Sequence, residues 1–246
     1  MITEHPMFNK TKEWILDILF PKKCLGCGRE GAYICKDCEI FLSEVDPMLS
    51  SPIFGASTPD VDGGTSGVNP KIELPDIVSV WEYEGLMEKL IQKIKYDGCY
   101  DIIGELIEKA FEKIKLDLPQ DTVVTFVPMY KSREKRRGFN QAEMIAKGVG
   151  KMAGRPVLKL LEKIKDNRSQ VGLGPQERLE NVKGAFRSTL GVERKTPSVK
   201  TKNVLLVDDV YTTGATVGEC IKILKKAGVK NVWGFTLSKK MSIQNY

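Results

Sequence analysis

Several features on which common classes of protein depend are scarce in this sequence. The longest apolar runs, such as Val204–Val207, are far shorter than the ~20 residues of a membrane-spanning helix. The N-terminus alternates charged and apolar residues, whereas a secretory signal peptide places a basic group before an apolar core. The only histidine is His5, to which the sequence assigns no role. We therefore expect a cytoplasmic protein.

Excess positive charge is scarce outside one segment. The chain has 246 residues and a net charge of +6 at neutral pH, but residues 131–168 alone contain twelve Lys or Arg against four Asp or Glu. Such a segment favours a polyanionic ligand, either the phosphate groups of a small molecule or a nucleic-acid backbone. A solvated surface is the plain alternative, so the position of the segment relative to other motifs has to decide.

Cysteine is concentrated near the N-terminus. Cys24 and Cys27 form one Cys-x-x-Cys pair, and Cys35 and Cys38 form a second pair after an interval of seven residues. Each pair can turn two thiolates towards one metal, and four thiolates satisfy the tetrahedral preference of Zn²⁺. Gly26 suits the tight turn, because glycine tolerates positive φ. The spacing predicts a structural zinc site without an open position for catalysis.

Two other uses of these cysteines remain open. Disulfides are disfavoured in a chain without an export signal, and a redox motif needs only one Cys-x-x-Cys pair, usually in a βαβ unit. The remaining cysteines, Cys99 and Cys220, are isolated and are expected to be small buried side chains.

The chain is expected to divide into three parts. Residues 1–46 would hold an N-terminal helix and the zinc module, residues 47–76 a linker, and residues 77–246 the main domain. The linker is assigned because prolines, glycines and Ser/Thr dominate there, with little periodic apolarity.

In the main domain, predicted strands alternate with predicted helices. Short apolar and β-branched runs predict strands at 77–83, 122–127, 157–160, 204–207 and 232–237. Apolar residues at helical spacing predict helices around 86–94, 103–114, 142–149 and 217–224. This order implies an open, mostly parallel α/β sheet flanked by helices, in which ligands bind at the carboxyl ends of the strands.

The most informative segment runs from Val204 to Thr216. Its strand delivers Asp208 and Asp209 to the carboxyl edge of the sheet, where two carboxylates can accept hydrogen bonds from the vicinal hydroxyls of a sugar. The following turn offers successive N–H groups to a phosphate, and Gly214 lets the backbone approach it. The loop lacks the lysine of a nucleoside-triphosphate P-loop. The residues assigned to phosphate binding are Tyr211, Thr212, Thr213, Gly214, Ala215 and Thr216.

A plainer interpretation treats the acidic pair as strand-end polar residues and the turn as a helix cap. The order of strand, acidic pair, turn and helix nevertheless resembles the phosphoribosyl-pyrophosphate (PRPP) site of type I phosphoribosyltransferases. Over nearly its whole length the chain resembles the competence protein F (ComF) family. Besides this motif, the stretches that carry the resemblance are Leu19–Gly28, Ile94–Gly98, Val127–Met129, Arg137–Glu143, Gln170–Leu173 and Arg178–Phe186.

The resemblance implies a type I phosphoribosyltransferase-like fold, an N-terminal four-cysteine zinc finger and two further parts of a PRPP site. The turn after Val127 would be the pyrophosphate loop, and the residues assigned to it and to the adjoining basic site are Pro128, Met129, Tyr130, Lys131, Arg133 and Arg137. A mobile flap would cover the ligand, with Gln170 and Arg178 as its site residues. For Arg137, a basic helix start remains the alternative.

These observations lead to three hypotheses about function. The resemblance and the basic segment imply a protein of natural transformation that handles single-stranded DNA in the cytosol, with DNA-processing competence proteins as potential partners. The alternative is Mg²⁺-assisted transfer of 5-phosphoribose from PRPP to an unidentified acceptor. A third hypothesis is a sensor that binds PRPP or a nucleotide without turnover. Phe139 is the only aromatic residue of the basic segment, so no base-stacking surface is evident.

Overall fold

The computed structural model describes residues 21–45, 77–167, 175–190 and 202–241. The predicted linker at 47–76, the N-terminal helix with His5, and the flap residue Gln170 lie outside the described residues. None of the helices in these four ranges combines the length and the apolarity that crossing a membrane requires. The proposed division at residues 46 and 76 stays a prediction.

The described residues form seven helices and six strands. The helices are α1 (Lys36–Glu39), α2 (Gly85–Asp97), α3 (Ile102–Lys113), α4 (Lys131–Arg137), α5 (Gln141–Ala153), α6 (Pro175–Val182) and α7 (Ala215–Lys226). The strands are β1 (Ile77–Glu82), β2 (Thr122–Phe126), β3 (Leu161–Lys163), β4 (Phe186–Ser188), β5 (Asn203–Tyr211) and β6 (Asn231–Lys239).

Four strands form the central sheet in the order β1-β6-β5-β2, and all three pairings are parallel. The predicted parallel α/β fold is therefore confirmed. β5 lies inside the sheet and Val204, Leu205, Leu206 and Val207 are buried, as expected for a strand that is covered on both faces. The unbroken apolar run at 204–207 is the pattern that predicted this strand from the sequence.

The chain winds in opposite directions from the two strands β2 and β5. From β2 it passes through α5 to Val157, which bridges Val124 in parallel on the side of β2 away from β5. From β5 it passes through α7 to β6. Because connections between parallel strands are right-handed, α5 and α7 cover opposite faces of the sheet. A crevice therefore opens at the carboxyl ends of β2 and β5, where sheets of this kind bind ligands.

The predicted strand at 157–160 is wrong. Only Val157 bridges β2, with Pro156 O and the N–H of Leu158 bonded to Val124. The N–H of Leu160 then donates to the side chain of Thr125 instead of to the backbone ladder, and the chain leaves the sheet. Its continuation, β3, pairs antiparallel with β4 in a separate two-stranded sheet. The run of apolar residues indicated burial correctly, since Leu160 and Leu161 are buried, but it did not indicate which partner the segment would choose.

The part of the predicted flap that the structure describes is a helix. Residues 175–182 form α6 and pack against α7. Pro175 stands at the first helical position, where its missing N–H costs nothing, because that group would have no partner within the helix. The glycines that suggested a loop precede it, outside the described residues.

The cysteine-containing segment packs directly on the main domain. Residues 43–45 pair with the outer edge of β1, and Leu42 is buried in the common core. On α3, the carboxylate of Glu105 accepts hydrogen bonds from the backbone N–H groups of Tyr33 (3.2 Å) and Ile34 (2.9 Å). The segment is therefore held to a helix and to a strand of the α/β domain.

Candidate functional site

The four predicted zinc ligands come together. The Sγ atoms of Cys24, Cys27, Cys35 and Cys38 all lie within 4.8 Å of one another, and the four thiols are not joined in disulfides. Sulfurs around one Zn²⁺ at ~2.3 Å each are separated by roughly 3.8 Å in a tetrahedron. The spacing and the all-thiolate donor set therefore fit a single zinc ion.

Local structure holds these sulfurs close. A side chain at Gly26 would place its Cβ only 2.7 Å from Cys38 Sγ, so glycine leaves room for the cluster. Burial raises the pKa of the Cys38 thiol to about 12. Burial also acts to raise the pKa of Cys24, but backbone N–H groups, foremost that of Cys35, outweigh it and lower this pKa to about 6. A divalent cation would be needed to hold all four groups as thiolates.

The acidic pair and the turn that follows it line one cleft of about 460 Å³. β5 carries Asp208 and Asp209 to the carboxyl edge of the sheet, and the chain then turns into α7. Among the turn residues assigned to phosphate, Tyr211, Thr212, Gly214, Ala215 and Thr216 line the cleft, whereas Thr213 does not. The Oγ1 of Thr213 instead accepts the N–H of Ala215, the first residue of α7, at 3.5 Å.

Gly214 has the backbone conformation that the turn requires. Its φ is +74°, in the left-handed region, and it directly precedes the first residue of α7. A Cβ at this position would lie 2.4 Å from the hydroxyl oxygen of Tyr211. A side chain would therefore meet both backbone strain and a steric clash. Gly214, Ala215 and Thr216 line the cleft, so the N-terminus of α7, which favours an anion, borders it.

Lys95 is a site residue that the sequence analysis missed. It lies in the last turn of α2, and its Nζ is 2.9 Å from Asp209 Oδ2. Burial acts to lower the Lys95 pKa, but the charge of Asp209 and the hydrogen bond to it, together with the charge of Asp208, outweigh burial and raise this pKa. The stretch Ile94–Gly98 is part of the family resemblance. The contact between Lys95 and Asp209 could not be predicted, because no sequence pattern relates the end of α2 to the end of β5.

Burial and the neighbouring charge of Asp209 raise the pKa of Asp208 to about 7. The backbone N–H of Asp209, which donates to Asp208 Oδ1 at 2.9 Å, acts in the opposite direction, as do the charges of Lys95 and Lys163. The two adjacent carboxyl groups therefore differ in character. Asp209 forms an ion pair with a lysine, whereas Asp208 is poised between its neutral and ionised forms near neutral pH.

A second cavity of about 530 Å³ adjoins the first and shares Lys95 and Tyr96 with it. Two residues assigned to the basic site, Arg133 and Arg137, line this cavity together with Arg136. Arg133 forms an ion pair with Asp166 at 2.8 Å. The other residues predicted for the pyrophosphate loop, which are Pro128, Met129, Tyr130 and Lys131, are not part of its lining.

Arg137 is fixed by neighbours on two sides. Its Nη1 donates to Gln141 Oε1 at 2.7 Å, and its guanidinium lies 5.8 Å from the centre of the Tyr96 ring. Gly138 ends α4 with a φ of +87°. Asn140 begins α5, where its side chain accepts the N–H of Ala142 and donates to Val127 O. The stretch thus forms the start of a helix, which was the alternative interpretation of Arg137, and Arg137 nevertheless lines the cavity.

A third cavity of about 660 Å³ continues the second and shares Gly98, Arg137 and Phe139 with it. Tyr100, which also lines this cavity, contacts Phe139 edge-to-face with 6.0 Å between ring centres. The three concavities therefore form one path, which leads from the acidic pair past the arginines to a pair of aromatic rings. We call the second and third cavities together the basic groove.

Comparison with known proteins gives this geometry a family context. Residues 97–243 match the family described as the phosphoribosyl transferase domain. These residues include the acidic pair, the turn, α4 and α6.

Individual relatives extend the match. Competence protein F of Haemophilus influenzae is 33% identical over 168 residues, which cover 64% of this chain and 71% of that protein. Competence protein ComFC of Bacillus subtilis is 27% identical over 220 residues, covering 87% and 76%. The DNA utilization protein YhgH of Salmonella typhi is 26% identical over 162 residues, covering 63% and 68%. The chain thus belongs to the competence protein F family, built on a phosphoribosyl transferase domain preceded by a four-cysteine cluster.

Proposed function

We propose that this protein serves DNA uptake in natural competence, handles single-stranded DNA in the cytosol and holds a phosphoribosyl ligand beside the strand. The carrying observation is the continuity between the acidic cleft and the basic groove, which share Lys95 and Tyr96. The names of the relatives refer to competence and to DNA utilization, and they supply the biological setting of the proposal.

The acidic cleft suits a phosphorylated ribose. Asp208 and Asp209 offer carboxylate oxygens to the vicinal hydroxyls of the sugar. The N-terminus of α7 and the turn at Gly214 offer N–H groups to its phosphate. Both lie in the lining of the same cleft, whose volume is within the ordinary range for small-ligand sites. PRPP and ribose 5-phosphate are the ligands that this arrangement favours.

The basic groove suits a single strand of nucleic acid. The basic segment has Phe139 as its only aromatic residue, but folding brings Tyr96 and Tyr100 from the end of α2 and the loop after it to the same surface. Tyr96 is 69% exposed, so one face of its ring is free to stack on a base. Aromatic rings beside cationic side chains are the usual means of binding single strands without sequence preference.

Charge in the groove supports the same proposal. Its lining contains five bases and three acids, which are Lys95, Arg133, Arg136, Arg137 and Lys147 with Glu134, Glu143 and Asp166. Arg136 is exposed and, among the described residues, forms no ion pair with a carboxylate. Arg137 keeps its guanidinium against Tyr96 and Gln141 rather than against an acid. This surface therefore carries positive charge that is available to phosphodiesters.

Binding of a fluorescent oligonucleotide as a function of salt concentration tests the strand proposal. We expect the logarithm of the affinity to fall linearly with the logarithm of the salt concentration. Arg136→Ala should weaken binding and reduce this slope by about 1. Tyr96→Ala should weaken binding by about 1–3 kcal/mol with an unchanged slope, because stacking is not ionic.

Two exposed residues outside the groove serve as matched controls. Lys226→Ala removes a charge from the end of α7, and Phe41→Ala removes an aromatic ring that is 65% exposed in the cysteine-containing segment. Both should bind as the wild type does. No binding at low salt, or an affinity that does not vary with salt, would remove the strand proposal. An equal loss in Phe41→Ala would place the strand on the cysteine segment instead.

A second candidate function is phosphoribosyl transfer from PRPP to an acceptor. The observation in its favour is the unequal acidic pair, in which burial and Asp209 bring the pKa of Asp208 to about 7. In this mechanism the two acids hold the ribose hydroxyls while the turn anchors the 5-phosphate. Magnesium bound with PRPP would offset charge on the departing diphosphate. Consumption of radiolabelled PRPP separates this candidate from a protein that binds the ligand without turnover.

A further inference from the structure

We propose that Lys95 is the cation that offsets the charge of the acidic pair, and that it allows ribose 5-phosphate to bind in the cleft without a divalent metal. This inference rests on the proposed phosphoribosyl cleft and assigns to one of its residues a role that the PRPP motif itself does not contain. The role is to balance charge in the cleft when no metal ion is bound.

The geometry places the Lys95 ammonium inside the site. Its Nζ is 2.9 Å from Asp209 Oδ2, and the two side chains are only 21% and 8% exposed. α2 ends two residues later, where Gly98 takes a φ of +68°. The backbone therefore stops the helix at the point where Lys95 reaches across to the end of β5. An ion pair with so little solvent contact is only weakly screened by salt.

Acids and bases are equal in number in the lining of the cleft. The acids are Glu88, Asp208 and Asp209, and the bases are Lys95, Arg178 and Lys240. Lys95 forms an ion pair with the acidic pair, through Asp209. A phosphate dianion that enters beside two ionised carboxylates is repelled, and burial strengthens that repulsion. Lys95 balances the charge of Asp209 directly, and it also acts to lower the pKa of Asp208. Both carboxylates can then remain acceptors for the sugar hydroxyls without an added metal ion.

Lys95 also stands where the cleft meets the basic groove. It lines both cavities, so its ammonium can be shared between Asp209 and an anionic group of the ligand that points towards the arginines. A purely structural ion pair would tie α2 to β5 and would not change how ligand affinity depends on metal. The metal dependence of binding therefore distinguishes the two roles.

Calorimetric titration of ribose 5-phosphate into the full chain, in EDTA and again in Mg²⁺, tests the inference. The wild type should bind in EDTA, and Mg²⁺ should change the affinity by less than about threefold. Lys95→Met should lose at least about thirtyfold in EDTA and should recover part of that loss in Mg²⁺, because the metal replaces the missing charge. Lys95→Arg keeps the charge and should bind in EDTA within about fivefold of the wild type.

Lys89→Met is the matched control, because it removes one positive charge from an exposed position on the same helix. It should behave as the wild type in both buffers. Thermal denaturation shows whether Lys95→Met is folded. The inference is overturned if the folded variant binds ribose 5-phosphate in EDTA as the wild type does, or if wild-type binding requires Mg²⁺. If the wild type binds neither ribose 5-phosphate nor PRPP in either buffer, the phosphoribosyl cleft itself is wrong and the inference falls with it.

Discussion

At the scale of residues, Asp208 and Asp209 show how adjacent carboxylates acquire different properties. Lys95 lies against Asp209, whereas burial and the charge of Asp209 raise the pKa of Asp208 to about 7. The charges of Lys95 and of Lys163 on β3 favour the ionised form of Asp208. Burial, together with the charge of Asp208, raises the pKa of the Cys220 thiol on α7. The ionised form of Asp208 therefore destabilises the folded protein when no ligand is bound.

This cost predicts a pH-dependent effect of Asp208→Asn. Because the pKa is raised on folding, Asp208 destabilises the folded state progressively as pH rises from about 4, its unfolded value, to about 7. Asparagine cannot ionise and can still accept the N–H of Asp209. We expect Asp208→Asn to raise the free energy of unfolding by about 1–3 kcal/mol at pH 8 and to change it little at pH 4. Urea denaturation at the two pH values measures the difference.

Asp209→Asn provides the control of opposite sign. It leaves the Lys95 ammonium without its ion-pair partner in a largely buried position, so this variant should be less stable than the wild type at pH 8. Both variants should lose ribose 5-phosphate binding. An Asp208→Asn effect of the same size at pH 4 and pH 8 would contradict the assignment of the raised pKa.

At the scale of elements, the turn between β5 and α7 depends on one backbone conformation. Gly214 combines a φ of +74° with close contact to Tyr211. We expect Gly214→Ala to destabilise the protein by more than about 1 kcal/mol, since strain and displacement of Tyr211 add together. It should also weaken ribose 5-phosphate binding at least tenfold. Thermal denaturation and calorimetry measure the two effects.

Gly104→Ala is the matched substitution. Gly104 lies at an exposed position of α3, and no atom lies within 4 Å of the Cβ it would carry. Alanine should stabilise the helix there by about 0.5–1 kcal/mol and leave binding unchanged. If Gly214→Ala binds ribose 5-phosphate as Gly104→Ala does, the turn is not the phosphate site.

At the scale of the whole molecule, the cysteine cluster and the α/β domain share one core. Besides the two hydrogen bonds accepted by Glu105, the Lys109 ammonium on α3 lies 2.6 Å from Glu39 on α1. The two residues that donate to Glu105, Tyr33 and Ile34, directly precede the predicted zinc ligand Cys35. Loss of these hydrogen bonds should therefore lower the stability of the domain and weaken the retention of metal.

Glu105→Ala tests that coupling. It leaves the N–H groups of Tyr33 and Ile34 without their acceptor, which should cost about 1–3 kcal/mol of folding stability. It should also speed the release of zinc to a chelator. Glu108→Ala removes an exposed acid from the same helix and should change neither quantity. A Glu105→Ala protein that matches Glu108→Ala in urea denaturation and in zinc release would show that the cysteine segment is not coupled to the domain through α3.

Much of the fold could be predicted from local patterns. The buried run at 204–207, the helical spacing in α2, α3, α5 and α7, and the paired Cys-x-x-Cys turns each express a preference of neighbouring residues. Those predictions agree with the structure. The strand at 157–160 failed because pairing depends on which partner is within reach, and α6 was missed because the glycines before it suggested a loop.

The sequence by itself determined the parallel α/β fold, the cysteine cluster and the motif that unites the acidic pair with the turn, because each was predicted from patterns among residues that are close along the chain. Only the tertiary structure decided that Lys95 lies against Asp209, that Tyr96 and Tyr100 join the arginines of α4, and that Glu105 holds the cysteine segment. These contacts join residues that are 40 or more positions apart in most cases. Such distances are closed by packing of the sheet and its helices, which local spacing does not encode.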